Sequence, residues 1–166
     1  GVAILEGGDS PRDIGRKVAE IAKKSANMTK SPDFFYMVAS PGEEEFYLKG
    51  ITEVIGRVPF FGGSAADNEI AGKWSLFTDE LVISNGVAVA FFYTDSEFTN
   101  VFTGAYRETD NVGIITEVNN NRNLVKINDK TAIEQYREWT NATYEDTIGG
   151  NLLAYCINKP LGVKDR

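Results

Sequence analysis

The sequence has no histidine, a single cysteine and no run of basic residues. Each absence removes a class of function. Without histidine there is no Ser-His or Cys-His dyad, no imidazole general base, and none of the commonest transition-metal ligand. The one cysteine, Cys156, allows no intrachain disulfide, and such sparse use fits a reducing, cytoplasmic compartment. No block of five or more Lys or Arg occurs, and 17 basic residues face 24 acidic ones for a net charge of −7. That balance argues against nucleic acid or an anionic membrane as the main partner. The longest apolar run, residues 87–93, falls far short of the roughly 20 residues of a spanning helix, so no direct membrane insertion is expected. The opening residues do not read as a signal peptide. No G-x-x-x-x-G-K-[ST] pattern is present, which removes the phosphate-loop reading.

What is present is an ordinary globular composition. The 166 residues are 42% hydrophobic, enough for one large domain or a piece of a larger protein. A chain of this size buries roughly 70% of its unfolded surface and needs no disulfide or metal to hold it. Residues 2–6 read as a strand ended by Gly7-Gly8. Asp9 or Ser10 then caps a helix with Pro11 in its first turn. Ile14, Val18, Ile21 and Ala22 fall on one face at helical spacing, and Lys23 and Lys24 suit the C-terminal end. Residues 34–38 form a second strand, apolar throughout, which predicts helices covering both of its faces. Glu43-Glu44-Glu45 open a second helix with Tyr47, Leu48, Ile51, Val54 and Ile55 on its buried face and Gly56 as the residue after its end. A third strand leads into Gly62-Gly63. Residues 2–61 therefore read β-α-β-α-β, a parallel unit with right-handed crossovers.

Beyond Lys73 the period changes. Short strands are predicted at 74–77 and 81–83, with Ser84-Asn85-Gly86 as a hairpin signal before a strong strand at 87–93. Further strands are expected at 98–106, 113–118 and 124–127, the last two joined through 119–123. Thr131 caps a helix carrying Ile133, Tyr136, Arg137 and Trp139, and another helix covers 144–157 around Gly149-Gly150. The fold class is thus mixed α/β, a β-α-β-α-β parallel unit followed by an antiparallel meander and C-terminal helices. The sequons at Asn27 and Asn141 matter only for a secreted chain, and chance explains both.

The stretch Val58-Pro59-Phe60-Phe61-Gly62-Gly63-Ser64-Ala65-Ala66-Asp67-Asn68 carries the functional expectation. It ends a strand in a double glycine, and ligands of α/β sheets bind outside the carboxyl ends of strands. Gly62 and Gly63 permit close approach of a ligand to the backbone. Ser64 can donate a hydrogen bond, Asp67 can hold an ammonium, and Asn68 follows. The plainer reading is a tight connection with Asp67 capping a turn. Trp74 and Tyr106 either wall a pocket or belong to the core, as does Phe77, and Arg107 either pairs a ligand carboxylate or serves the surface. No catalytic residue, metal ligand or cofactor is assigned. Asp67, Asp79 and Glu80 leave a carboxylate-based enzyme as an alternative, and a protein-interaction scaffold is another. Cys156, among Leu153, Ala154, Tyr155 and Ile157, reads as a small buried hydrophobe.

The ordered series of motifs resembles a family. Residues 58–67 are similar to the glycine-pair signature of FIST domains. Trp74 and Phe77 follow, then Ser84-Asn85-Gly86-Val87-Ala88-Val89-Ala90, Gly104-Ala105-Tyr106-Arg107, Ile115-Thr116-Glu117-Val118 and Ile127-Asn128-Asp129-Lys130-Thr131-Ala132, in the order of that family. Lys159-Pro160-Leu161-Gly162-Val163 resembles the start of a second, C-terminal module. Glu108 stands where the family has proline, and Asp129-Lys130 replaces Asp-Gly. The resemblance covers residues 34–163 and implies a partial N-terminal FIST-like module over 1–158 and the truncated start of a C-terminal one over 159–166. It further implies a non-enzymatic sensory domain of signal transduction, binding a small, amino-acid-like ligand. The partner it implies is an output signalling domain, of the chemotaxis type among others, in the same or a partner chain. An oligomer is compatible with that role.

Overall fold

The computed structural model describes residues 1–8, 10–69, 71–120, 123–148 and 152–164. The chain divides into two compact units, Gly1–Phe102 and Thr103–Arg166, each described by itself below.

The first unit opens β1 (Val2–Glu6), α1 (Pro11–Ser25), β2 (Phe34–Ala39), α2 (Glu44–Ile55) and β3 (Phe60–Ser64), the expected alternation. Ser10 caps α1 by accepting the Asp13 N–H at 3.3 Å, with Pro11 in the first turn and Lys23 and Lys24 in the last. The alternative cap, Asp9, lies outside the described residues. Gly56 closes α2 at φ 76°, where a side chain would be strained. Then come β4 (Leu76–Phe77), β5 (Val82–Ile83) and β6 (Gly86–Phe92). β4 and β5 form a small antiparallel pair, turning where Thr78 N–H donates to Leu81 O.

The main sheet has the strand order β1-β6-β2-β3. β3 lies parallel to β2, and β6 runs antiparallel to both β1 and β2, so β1, β2 and β3 share one direction as the alternation requires. The sequence reading placed β6 in a meander after the parallel unit. Instead β6 enters the middle of that unit and separates β1 from β2. Its residues are apolar on both faces, which suits a central position. The Ser84-Asn85-Gly86 signal accordingly joins two sheets and makes no hairpin, since β5 pairs with β4 and β6 with β1 and β2.

Chain order and sheet order advance together from β1 to β2 to β3. Right-handed crossovers in that arrangement set both helices on one face. Val18, Ala19 and Ala22 of α1 and Tyr47, Ile51 and Ile55 of α2 pack there with Ala3, Phe35, Met37, Ala39, Val87, Val89 and Phe91. Burying each of the larger side chains contributes about 1.5–3 kcal/mol. α1 and α2 meet at Gly15 and Gly50. A Cβ on Gly15 would collide with the Tyr47 carbonyl, and one on Gly50 with that of Arg12. The buried stripe of α1 therefore runs Gly15, Val18, Ala19, Ala22, and Ile21 is exposed, contrary to the helical-face expectation.

Within the first unit, among the described residues, only one face of β2 is covered, against the expectation of helices on both. Opposite the helices, Phe34, Tyr36, Phe61, Phe92 and Phe98 form a bare aromatic face. Phe34 stacks on Phe92 at 4.8 Å and lies 5.1 Å from Phe98, and Tyr36 lies 5.1 Å from Phe61. Phe61 remains 52% exposed. The strand expected at 98–106 does not form; residues 93–114 carry no strand.

The second unit contains β7 (Ile115–Asn119), β8 (Asn123–Ile127), β9 (Lys130–Thr131), α3 (Ala132–Thr140), α4 (Tyr144–Thr147) and α5 (Leu152–Cys156). β7, β8 and β9 form an antiparallel sheet in that order. Asn121 and Arg122, part of the predicted 119–123 connection, lie outside the described residues. Asn128 and Asp129, at φ 51° and 63°, make the two-residue turn from β8 to β9, in the conformation such hairpins favour. Thr131 caps α3 with a reciprocal Glu134 bond, and Thr143 and Asp146 repeat the device at α4. The helix expected over 144–157, interrupted or started by Gly149-Gly150, is two short helices, α4 and α5. Ile148, at φ −125° and ψ 131°, leaves helical geometry, and Gly149-Gly150 lie outside the described residues. Tyr136 is buried, with its hydroxyl donating to the Lys159 carbonyl at 3.0 Å.

Candidate functional site

At the carboxyl ends of β2 and β3, polar side chains from four segments converge. β2 ends at Ala39, and Ser40 follows it, buried. The Ser40 hydroxyl donates to Asn85 Oδ1 at 2.7 Å and accepts the Gly86 N–H at 3.0 Å. Asn85 O in turn accepts the Gly7 N–H at 2.9 Å, so the ends of β1 and β2 and the start of β6 are tied together. β3 ends at Ser64, whose hydroxyl donates to Glu44 Oε1 at 2.6 Å. Glu44 Oε2 accepts the Gly42 N–H at 2.8 Å, holding the carboxylate against the turn that precedes α2. Glu43 accepts from the Tyr47 hydroxyl at 3.4 Å. Burial, with the Glu43 charge second, raises the Tyr47 pKa above its ordinary value, so its hydroxyl stays a donor.

Beyond Ser64, Asp67 organises its own loop. Its carboxylate accepts the backbone N–H groups of Glu69 and Ala71 through Oδ1, at 3.0 and 2.8 Å, and of Lys73 through Oδ2 at 2.8 Å. The Ala71 and Lys73 amides are the main cause of its lowered pKa. A nest of backbone donors suited to an anion is therefore present, and the chain's own carboxylate fills it.

The predicted residues divide accordingly. Gly62 answers to the fold: at φ 147° a Cβ would collide with the Met37 carbonyl of β2. Gly63 does not, because nothing lies within 4 Å of where its Cβ would be. Ser64 joins Glu44, while Asp67 and the exposed Asn68 belong to the loop beyond. Trp74 is half-buried and donates its indole N–H to Ser84 O at 2.8 Å, bracing the β4–β5 pair. Tyr106 and Arg107 are exposed and belong to the second unit, where the Tyr106 hydroxyl donates to Ile157 O at 2.8 Å. Asp79 and Glu80 sit in the turn between β4 and β5.

Three residues of the cluster, Ser40, Glu44 and Asn85, were missing from the sequence reading. By pattern Glu44 only opens a helix and Asn85 only belongs to a hairpin signal. The available signal was position: Ser40-Pro41-Gly42 and Glu43-Glu44 link a strand end to a helix start in a βαβ unit, where ligand sites gather. Among the described residues no group of three or more Cys, Asp or Glu side chains converges in a way that could hold a metal, and no helix is long and apolar enough to cross a membrane. A shallow depression lined by Thr94, Asp95, Ser96, Glu97, Phe98 and Thr99 contains none of the predicted residues.

A β-α-β-α-β unit with an antiparallel strand set into its sheet, and polar side chains gathered at its strand ends, defines a mixed α/β module. The family is narrower. The chain matches the FIST N domain family model over residues 1–130 and belongs to that family of sensory, signal-transduction domains. The match begins with β1, before the residues that carried the resemblance, and reaches β9. No curated protein and no solved structure matches the chain.

Proposed function

We propose that this chain is a sensory domain that binds a small, amino-acid-like ligand at the carboxyl ends of β2 and β3. The observation that carries the reading is the Ser64–Glu44 hydrogen bond, which sets a hydroxyl and a carboxylate side by side at a strand end of the parallel pair. Glu44, with Glu43 beside it, accepts a ligand ammonium, and the Ser64 hydroxyl turns to donate to the ligand. Gly63 leaves open space for close approach, and the Asp67 loop with Asn68 and Trp74 continues the chain from that strand end. The assignment rests on the first unit alone. The role is non-catalytic and cytoplasmic. Ligand binding biases a conformational equilibrium that an output signalling domain, in the same or a partner chain, reads.

A thermal-shift screen of free amino acids and small amines tests this. A ligand present at 100 times its Kd stabilises the fold by about 2.7 kcal/mol. Ser64→Ala and Glu44→Gln are each expected to abolish the shift while leaving the ligand-free melting temperature near its original value. No shift across the library, or a shift that both variants retain, overturns the assignment. Turnover of a shifting ligand would replace it with the carboxylate-enzyme reading. The bare aromatic face favours a second reading, an interaction scaffold, which capture of a partner without any small ligand would support.

A further inference from the structure

β3 is the outer strand of the main sheet, paired on one side with β2 and, among the described residues, with no strand on the other. In that parallel pair Pro59 O accepts the Phe35 N–H at 3.1 Å, and Ala65 N–H donates to Ala39 O at 2.8 Å. Backbone groups alternate sides along a strand, so the odd-numbered residues 59–65 face β2. The N–H and C=O groups of Phe60, Gly62 and Ser64 point outward. Edge strands are normally protected by charge, proline, a bulge or a covering element. β3, Phe-Phe-Gly-Gly-Ser, contains no charge and no proline, and all five residues are exposed.

The strand is complementary to itself. We propose that β3 pairs antiparallel with β3 of a second copy, in the register that sets Gly62 opposite Gly62. Only an even-to-even register brings outward groups together. In this one Phe60 faces Ser64 of the second copy, Gly62 faces its counterpart, and Ser64 faces Phe60. Each exchanges both backbone hydrogen bonds with the residue opposite. On the bare face the same register lays Phe61 over Gly63 of the second copy. Phe61 is 52% exposed and Gly63 has open space above it, so the ring covers the glycine on both sides of the twofold axis. The two sheets then continue into one, and the aromatic faces join. A strand edge of five residues buries less than the roughly 800 Å² per partner of a standard stable interface. The dimer is therefore in concentration-dependent exchange with the monomer.

The register is tested by disulfide cross-linking. Phe61→Cys and Gly63→Cys are made as separate proteins, each also carrying Cys156→Ser. The residues at 61 and 63 form a non-hydrogen-bonded pair with Cα atoms about 4.5 Å apart, inside the range a disulfide spans. Both positions are exposed, and circular dichroism confirms that the variants fold. Oxidation is expected to cross-link the mixture and to leave either variant alone largely uncrosslinked. Sedimentation equilibrium of the unmodified chain is expected to show a mass rising towards twice the monomer with concentration. Ser64→Pro, which deletes an outward donor that β2 does not use, should hold the mass at the monomer value. Absence of a mixed cross-link between folded variants overturns the proposal. Equal cross-linking of a single variant, or dimerisation unaffected by Ser64→Pro, does the same. So does a monomeric mass at every concentration, which would leave the edge to a strand of another protein.

Discussion

Adjacent glycines in this chain do different work. Gly62 is held by the fold, since any Cβ would strike the Met37 carbonyl, whereas Gly63 faces open space. Gly50 resembles Gly62. Its missing Cβ lets α2 lie against the backbone of α1 at Arg12, and backbone cannot move aside as a flexible side chain would. Gly50→Ala is therefore expected to destabilise the protein by about 1–3 kcal/mol despite the better helix propensity of alanine. Gly63→Ala should cost no more than a few tenths of a kcal/mol, the scale of an exposed substitution. Urea unfolding of the two variants checks the contrast. Equal effects would mean that α1 and α2 are not packed at this contact. Asp67 makes a similar point about acids. Its residue type is compatible with gripping an ammonium or capping a loop, and three backbone amides show the second use.

Single elements here are held by their ends as much as by their faces. α3 has nine residues, too few to be stable by propensity alone. Its reciprocal Thr131–Glu134 cap satisfies amides that the first turn leaves without partners, and Asn141 closes it in the left-handed conformation. Thr131→Ala is expected to lower stability by about 1 kcal/mol. Trp139 fluorescence in a Trp74→Phe background follows the loss in the second unit. An unchanged unfolding curve would show that packing of Tyr136 alone holds the helix. β2 and β6 show where pattern and element part company. Both are apolar on each face, the sign of strands covered on both sides. One side is covered by α1 and α2, and the other is the bare aromatic face.

At the scale of the whole molecule, several carboxylates are tied into the folded state. Backbone amides lower the pKa of Asp67. Hydrogen bonds from Arg12 and Arg16 lower that of Glu53, which bridges α1 and α2. The Thr131 hydroxyl and amide lower Glu134, and the Thr143 amide and hydroxyl lower Asp146. A carboxylate whose pKa is lower folded than unfolded adds stability above its unfolded value and loses it as pH falls through its folded value. The ordinary values are 3.8 for Asp and 4.5 for Glu. The melting temperature is therefore expected to hold level down to about pH 4.5 and to fall progressively below it. Melting curves recorded from pH 6 to pH 2 check this. A decline that begins well above pH 5 would point to other groups. With no histidine, no side chain of ordinary pKa titrates between pH 5 and 8.

The sequence by itself determined the alternation of β1, α1, β2, α2 and β3, a cap at Asp9 or Ser10 and another at Thr131; the glycine pair it set at a strand end lies within β3, paired with Met37 and Val38. It also carried the family, through motifs in order. These features are local, set by side-chain periodicity and by hydrogen bonds between residues three or four apart, so they are legible along the chain. Tertiary structure decided that β6 enters between β1 and β2, that both helices share one face, and that Ser40, Asn85, Glu44 and Ser64 meet at the strand ends. It also separated Gly62 from Gly63 and turned Asp67 on its own loop. Apart from the Asp67 loop, whose bonds reach residues two to six positions away, these depend on pairings between residues 20 or more positions apart, such as Ser64 with Glu44 and Ile4 with Ala88. An apolar strand fits several places in a sheet equally well by pattern. Only the competition for backbone partners and buried area, resolved in three dimensions, selects one.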